Sequence, residues 1–171
     1  GLFKSAIRDD NPVVFFTHIA LGGTQGEVPD EEYIIPFGVA DIKRSGTDVT
    51  VVAIGWMVRH SLKAAQKLEQ EGISVEVVDP RTINPLDKET ILKSVAKTGR
   101  LVSVDEARQF CSVASEISAI VAQEGFHTLK SPIERVTTPN LPIPFSPPME
   151  KHIVPGVDHI IQAVHNVLGV K

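Results

Sequence analysis

The stretch from Asp48 to Glu106 limits what this chain can fold into more than any other part of it. DVTVVAIG (48–55) is a near-continuous apolar run, and VRHSLKAAQKLEQEG (58–72) then changes to a helical period. ISVEVVDP (73–80) is again apolar and β-branched, DKETILKSVAKTG (87–99) is helical, and RLVSVDE (100–106) makes a further strand. Strands alternating with helices of this length build βαβ units and a parallel sheet. The first run is apolar at successive positions, Val49, Val51, Val52, Ala53 and Ile54. A strand of that kind is hidden from water only when helices cover both faces of its sheet. The predicted fold class is therefore α/β, with helix layers on either side of a mostly parallel sheet.

The helices carry matching stripes. Val58, Leu62, Ala65 and Leu68 recur at spacings of four, three and three, which places them on one face. Gly72 follows as a left-handed stop. Asp87 can cap the second helix, whose apolar face is Ile91, Leu92 and Val95. Lys93 and Lys97 stand near its negative C-terminal end, and Gly99 ends it.

Charge and cysteine content exclude several classes. A chain of 171 residues with 22% charged and 42% apolar residues suits one domain with a real core, plus some extra. The net charge of -4 is small, and no basic block offers a surface for nucleic acid. No apolar run approaches the roughly 20 residues that span a bilayer. Cys111 is the only cysteine, so no internal disulfide can form, which fits a reducing compartment. With no base beside it, Cys111 is expected to be a buried structural thiol.

The chain starts within a helical phase, GLFKSAIRDD. Gly1 to Ser5 formally matches a myristoylation pattern, but the preferred reading is a chain whose preceding residues are missing, without a signal peptide. Leu2, Phe3, Ala6 and Ile7 form an apolar face, Asp9 to Pro12 stop the helix, and VVFFT (13–17) reads as a strand. Residues 1–17 thus look like the last helix and strand of an earlier domain. A long polar connection follows from His18 to Pro36, and GVADIKRSG (38–46) reads as an edge strand. Beyond Glu106 come a turn at ARQF, a helix from Ser112 to Glu124 and a short strand in SPIERVTTP (131–139). The Pro-rich stretch NLPIPFSPPMEKHIVP reads as an extended arm with no helix in it. A last amphipathic helix, Val157 to Leu168, faces inward through Val157, Ile160, Ile161, Val164 and Leu168.

Motifs of catalysis are scarce. The histidines, His18, His60, His127, His152, His159 and His165, match no metal-binding spacing, and surface or core-edge roles are expected of them. No GxSxG elbow is present. Gly22, Gly23 and Gly26 do not lie between a strand and a helix, so a loop is expected there rather than a phosphate cradle. In a parallel sheet the loops leaving the strands gather at one edge. That edge would collect Trp56, Arg81, Asn84, Glu106 and Arg108, and a small anion could bind among them. The favoured alternative is that Arg81 pairs with Asp79 or Glu106 and merely fixes the loops.

The segments GLFKSAIRDDNPVVFF, EVPDEEYIIPFGVADIKRSGTDVTVVAIG, ISVEVVDPRTINPLDKETILKSVAKTGRLVSVDEA and PIPFSPPME occur in this order. They resemble the β subunit of the thiamine-diphosphate-dependent first component of 2-oxo acid dehydrogenase complexes. The resemblance covers essentially the whole chain, and DPRTINPLD with KTGRLVSVDEA is its most specific part. CSVASEI and FSPPME are similar to the acetoin dehydrogenase type, while the branched-chain type shares ASEIS. Such a resemblance implies a remnant of the pyrimidine-binding domain at 1–17, a linker at 18–37 and a transketolase-type C-terminal domain at 38–171. It implies a complete enzyme that uses thiamine diphosphate and magnesium to cleave a carbon–carbon bond and pass an acyl unit to a lipoyl group. The implied partners are an α subunit, a second β subunit and the lipoyl-bearing acyltransferase, in the cytoplasm or, in a eukaryote, the mitochondrial matrix. No residue here matches the family's catalytic or cofactor-binding positions, so the chain alone is expected to be inactive. The one site carried over is a potassium ion held by backbone oxygens of Ala6, Ile7, Asp9 and Asn11; an ordinary helix stop is the competing reading. Two further hypotheses are a free-standing α/β small-anion-binding module and a purely structural fragment.

Overall fold

The computed structural model describes residues 1–170. In chain order the elements are α1 (Leu2–Arg8), β1 (Asp41–Arg44), β2 (Val49–Ala53), α2 (Trp56–Gln70), β3 (Val75–Asp79) and α3 (Lys88–Thr98). They continue with β4 (Leu101–Arg108), α4 (Val113–Glu124), β5 (Glu134–Thr138), α5 (Pro147–Ile153) and α6 (Val157–Leu168). The five strands lie in the order β1-β3-β2-β4-β5. All neighbours are parallel except β1, which runs antiparallel to β3 along one edge.

Alternation along the strands sorts side chains to the two faces. Val49, Val51 and Ala53 of β2, Val75 and Val77 of β3, and Val102 and Val104 of β4 join one core. α2 and α6 close it, with Met57, Ala65, Leu68, Ile160 and Val164 buried. Val52, Val78 and Leu101 point to the other face, under Ile91 and Val95 of α3 and Ile117 and Val121 of α4. The three layers predicted from the apolar strands are present.

The second face also holds a polar network. Thr50 Oγ1 lies 2.8 Å from both Ser94 Oγ and Thr98 Oγ1. Ser94 Oγ donates to Glu76 Oε1 at 2.5 Å, and Lys97 pairs with the other carboxylate oxygen. Glu76 is 1% exposed, so its charge is tolerable only because these partners replace water. Gly46 packs against the same strand, where an added Cβ would stand 2.2 Å from the Glu76 backbone nitrogen.

The ends of α3 and the bounds of α6 agree with the pattern read from sequence. Asp87 Oδ1 accepts from the Thr90 backbone N–H, and Gly99 stops α3 at φ 76°. Other expectations fail. VVFF forms no strand: Val14 and Phe16 are 77% and 86% exposed, because β-propensity without a neighbouring strand leaves the backbone groups unpaired. The arm contains a helix after all, α5, with prolines in its first turn, where no N–H donor is required. Strand β4 continues to Arg108, past a register shift between Val104 and Arg108. Cys111 is exposed rather than buried, in the turn into α4 at φ 54°. Among the described residues, no helix is long and apolar enough to cross a membrane.

Candidate functional site

Topology selects one place on this sheet. β2 leads through α2 toward β3, whereas its neighbour β4 leads through α4 toward β5 on the other side. Connections that diverge from adjacent strands open a crevice at their carboxyl ends, where ligands of open α/β sheets bind. Gly55 makes the turn out of β2 at φ 56° and ψ -121°, a conformation that favours glycine. Trp56 follows as the first residue of α2, and Glu106 stands near the end of β4.

The linker supplies the side chain that joins them. The His18 imidazole stacks on the Trp56 indole with centroids 5.6 Å apart and planes 8° from parallel. Its Nε2 lies 3.1 Å from Glu106 Oε2, while its Nδ1 accepts from the Ala20 backbone N–H at 3.2 Å. The second bond fixes the tautomer: Nδ1 carries no proton, so Nε2–H donates to the carboxylate. His60, one turn along α2, meets the indole edge-on at 5.3 Å. Its Nδ1 is buried and has no hydrogen-bond partner among the described residues. Burial, followed by the charge of Lys63, holds the His60 imidazole below the ordinary histidine value, against an opposing pull from Glu106. The Arg59 guanidinium stands 5.3 Å from the Trp56 ring and donates to Thr24 Oγ1 at 2.6 Å. A cleft of about 560 Å³ continues from Trp56, His60 and Glu106 to α5 and the start of α6.

Of the edge residues expected from sequence, Trp56 and Glu106 do meet, through His18. Arg81 is engaged elsewhere: Nε donates to Val39 O at 2.8 Å and Nη2 to Ala40 O at 3.2 Å. Its expected carboxylate pairing is not what holds it, because the Asp79 Oδ1 accepts from the Arg81 backbone N–H instead. Asn84 and Arg108 are exposed. His18 was invisible as a site residue, since the contact with Glu106 spans 88 positions. Only the four-residue step from Trp56 to His60 hinted that those two rings share a helix face. A second depression, of about 1010 Å³, lies over the turn from β4 to α4, between Phe110, Cys111 and Arg135.

The sequence matches the family described as transketolase, C-terminal domain, over residues 38–160. The chain belongs to that family. Over 169 residues it is 46% identical to the acetoin:2,6-dichlorophenolindophenol oxidoreductase subunit beta of Bacillus subtilis, covering 99% of this chain and 49% of the relative. The corresponding subunit of Cupriavidus necator is 49% identical over 168 residues, covering 98% and 50%. The pyruvate dehydrogenase E1 component subunit beta of Bacillus subtilis is 44% identical over 169 residues, covering 98% and 52%. The chain therefore spans about half the length of the curated relatives it matches. Among solved structures it is similar to a split-gene transketolase in an inactive β4 tetramer, with a TM-score of 0.71 and 26% identity over 86% of this chain and 46% of that one. The matched residues span the whole sheet and α2 to α5 and end at Ile160 within α6, whose core residues Ala163, Val164 and Val167 lie beyond them; the linker carrying His18 lies before them.

Proposed function

We propose that this chain is the C-terminal half of the β subunit of a thiamine-diphosphate-dependent acetoin or 2-oxo acid dehydrogenase, with acetoin the favoured substrate. The observation that carries this reading is near-complete coverage of the chain, at 46% and 49% identity, by two acetoin-type β subunits. Residues 1–17 are then the end of a pyrimidine-binding domain, 18–37 a linker and 38–171 the C-terminal domain. The exposed Val14 and Phe16 support this division, since an apolar, β-prone segment lying uncovered in this half would be covered by a preceding domain.

The cofactor, when bound in the complete enzyme, supplies the carbon nucleophile for the chemistry. In this reading the diphosphate and magnesium site belongs to the α subunit and the activating carboxylate to the preceding domain, so neither is assigned to this half. The part assigned to this half is assembly: contact with the α subunit and with a second β subunit, and docking of the lipoyl-bearing acyltransferase. A potassium ion on the main-chain oxygens of Ala6, Ile7, Asp9 and Asn11 belongs to the same proposal. Supporting it, α1 ends at Arg8, and the last carbonyls of a helix lack partners within it. The Asp9 carboxylate is meanwhile occupied by the backbone and side-chain nitrogens of Asn11.

The test is reconstitution with a pyrimidine-binding half and an acetoin-type α subunit. Reduction of 2,6-dichlorophenolindophenol that depends on acetoin, thiamine diphosphate and this chain is the expected result. Turnover of pyruvate or a branched-chain 2-oxo acid instead would reassign the substrate. Calorimetric titration of the chain alone with thiamine diphosphate and magnesium should give no tight binding; micromolar affinity would contradict the division of labour.

A further inference from the structure

The linker is poorly buried. Ile19, next to His18, is 94% exposed, and Val28 is 74% exposed. Apolar burial does not hold this segment down. Yet His18 itself is only 30% exposed and satisfies both ring nitrogens. It lies where the strand connections diverge, against a flat aromatic face and a carboxylate. A stacking plane beside a single charged acceptor is a recognition element for a planar ring with one outward N–H.

We propose that the crevice between the carboxyl ends of β2 and β4 is a binding site for a flat nitrogen heterocycle bearing an N–H donor, and that His18 fills it as an intramolecular ligand. Trp56 is the stacking plate, Glu106 reads the N–H, and His60 closes the edge of the plate. The Ala20 N–H, bonding to Nδ1, selects the tautomer that presents Nε2–H to Glu106. Thr24, held by Arg59, is a second fastening of the linker beside the same indole. The site thereby ties residues that precede the matched family region to the end of the sheet.

Trp56 is the only tryptophan, so its fluorescence reports the crevice directly. The whole chain is compared with His18→Ala and Glu106→Ala, with circular dichroism as the check on folding. In His18→Ala, acrylamide quenching of Trp56 should increase, and proteolysis within 22–26 should speed by roughly tenfold or more, as loss of a hydrogen bond to a charged group allows. Free imidazole at millimolar concentration, in mildly alkaline buffer, should shield Trp56 again while the linker stays cleavable, because the untethered ligand fills the site without restraining the chain. 1-Methylimidazole has no N–H in its neutral form and should fail. Glu106→Ala should loosen the linker equally and gain no shielding from imidazole. Unchanged quenching and cleavage in both variants would overturn the latch. Loosening that imidazole does not reverse in His18→Ala, or that 1-methylimidazole reverses equally, would overturn the recognition assigned to the crevice.

Discussion

Asp79 ends strand β3 with its carboxyl group half-buried, paired in register with Asp41 of the antiparallel edge strand. Burial pushes its pKa above the ordinary 3.8, and Asp41 adds to the rise, while the Arg81 N–H and Lys43 act the other way. A carboxyl group whose folded pKa is raised binds its proton more tightly in the native state. Its contribution to stability is present below the unfolded pKa and is lost as pH rises through the folded one. Ionised Asp79 is thus a cost at neutral pH. Asp79→Asn keeps an oxygen for the Arg81 N–H but removes the charge. Urea midpoints of the variant minus those of the parent should grow as pH rises above 3.8 and then level off. A difference that stays flat through the acid range would show that burial does not penalise this carboxylate.

At the scale of elements, the turn after β3 is fastened to the approach to β1 rather than to another loop. Arg81, at φ 60°, sends its guanidinium to the carbonyls of Val39 and Ala40, and Thr82 Oγ1 accepts from Gly38 N–H. Asp87 completes the tie: one oxygen caps α3 at Thr90, and the other accepts from Ala40 N–H at 2.8 Å. The edge strand is therefore held by side chains from the β3–α3 connection as well as by its ladder. Arg81→Met should lower the melting temperature, with a loss of about 1–3 kcal/mol for two carbonyls deprived of a charged donor. Activity of a reconstituted enzyme should stay largely intact. Lost activity at unchanged stability would instead favour a ligand site at that edge.

For the whole molecule, the apolar surface left over is concentrated on the arm and the N-terminal segment. α6 uses Ile160, Ala163, Val164 and Val167 within its own domain against α2 and the sheet, which leaves little of its apolar face for a partner. The arm does not: Leu141, Ile143, Phe145 and Met149 are at least half exposed, Phe145 completely. Prolines restrict this segment before any association, so ordering it on a partner costs little entropy. A homodimer through the arm is expected, burying upwards of roughly 1,000 Å². Sedimentation of the parent beside a Phe145→Asp, Ile153→Asp variant checks it. A parent that is monomeric at tens of micromolar refutes the dimer, and a folded, dimeric variant refutes the arm as its interface.

Sequence by itself determined the layers and most element bounds, because strands apolar at successive positions admit no other cover and Asp87, Gly99 and Ser112 act on their own neighbours. It also marked Trp56 and Glu106 as sharing one sheet edge. Tertiary structure decided what those two do. The meeting of His18 with Glu106 closes a loop of 88 positions, and no local pattern encodes a contact between a linker and a strand end. The same holds where sequence misled: VVFF has the residues of a strand but no partner for its backbone groups, and Arg81 had carboxylates nearby in sequence but backbone carbonyls nearer in space. Periodicity and caps are properties of neighbours along the chain; pairing and docking depend on which distant groups the fold brings within hydrogen-bond reach.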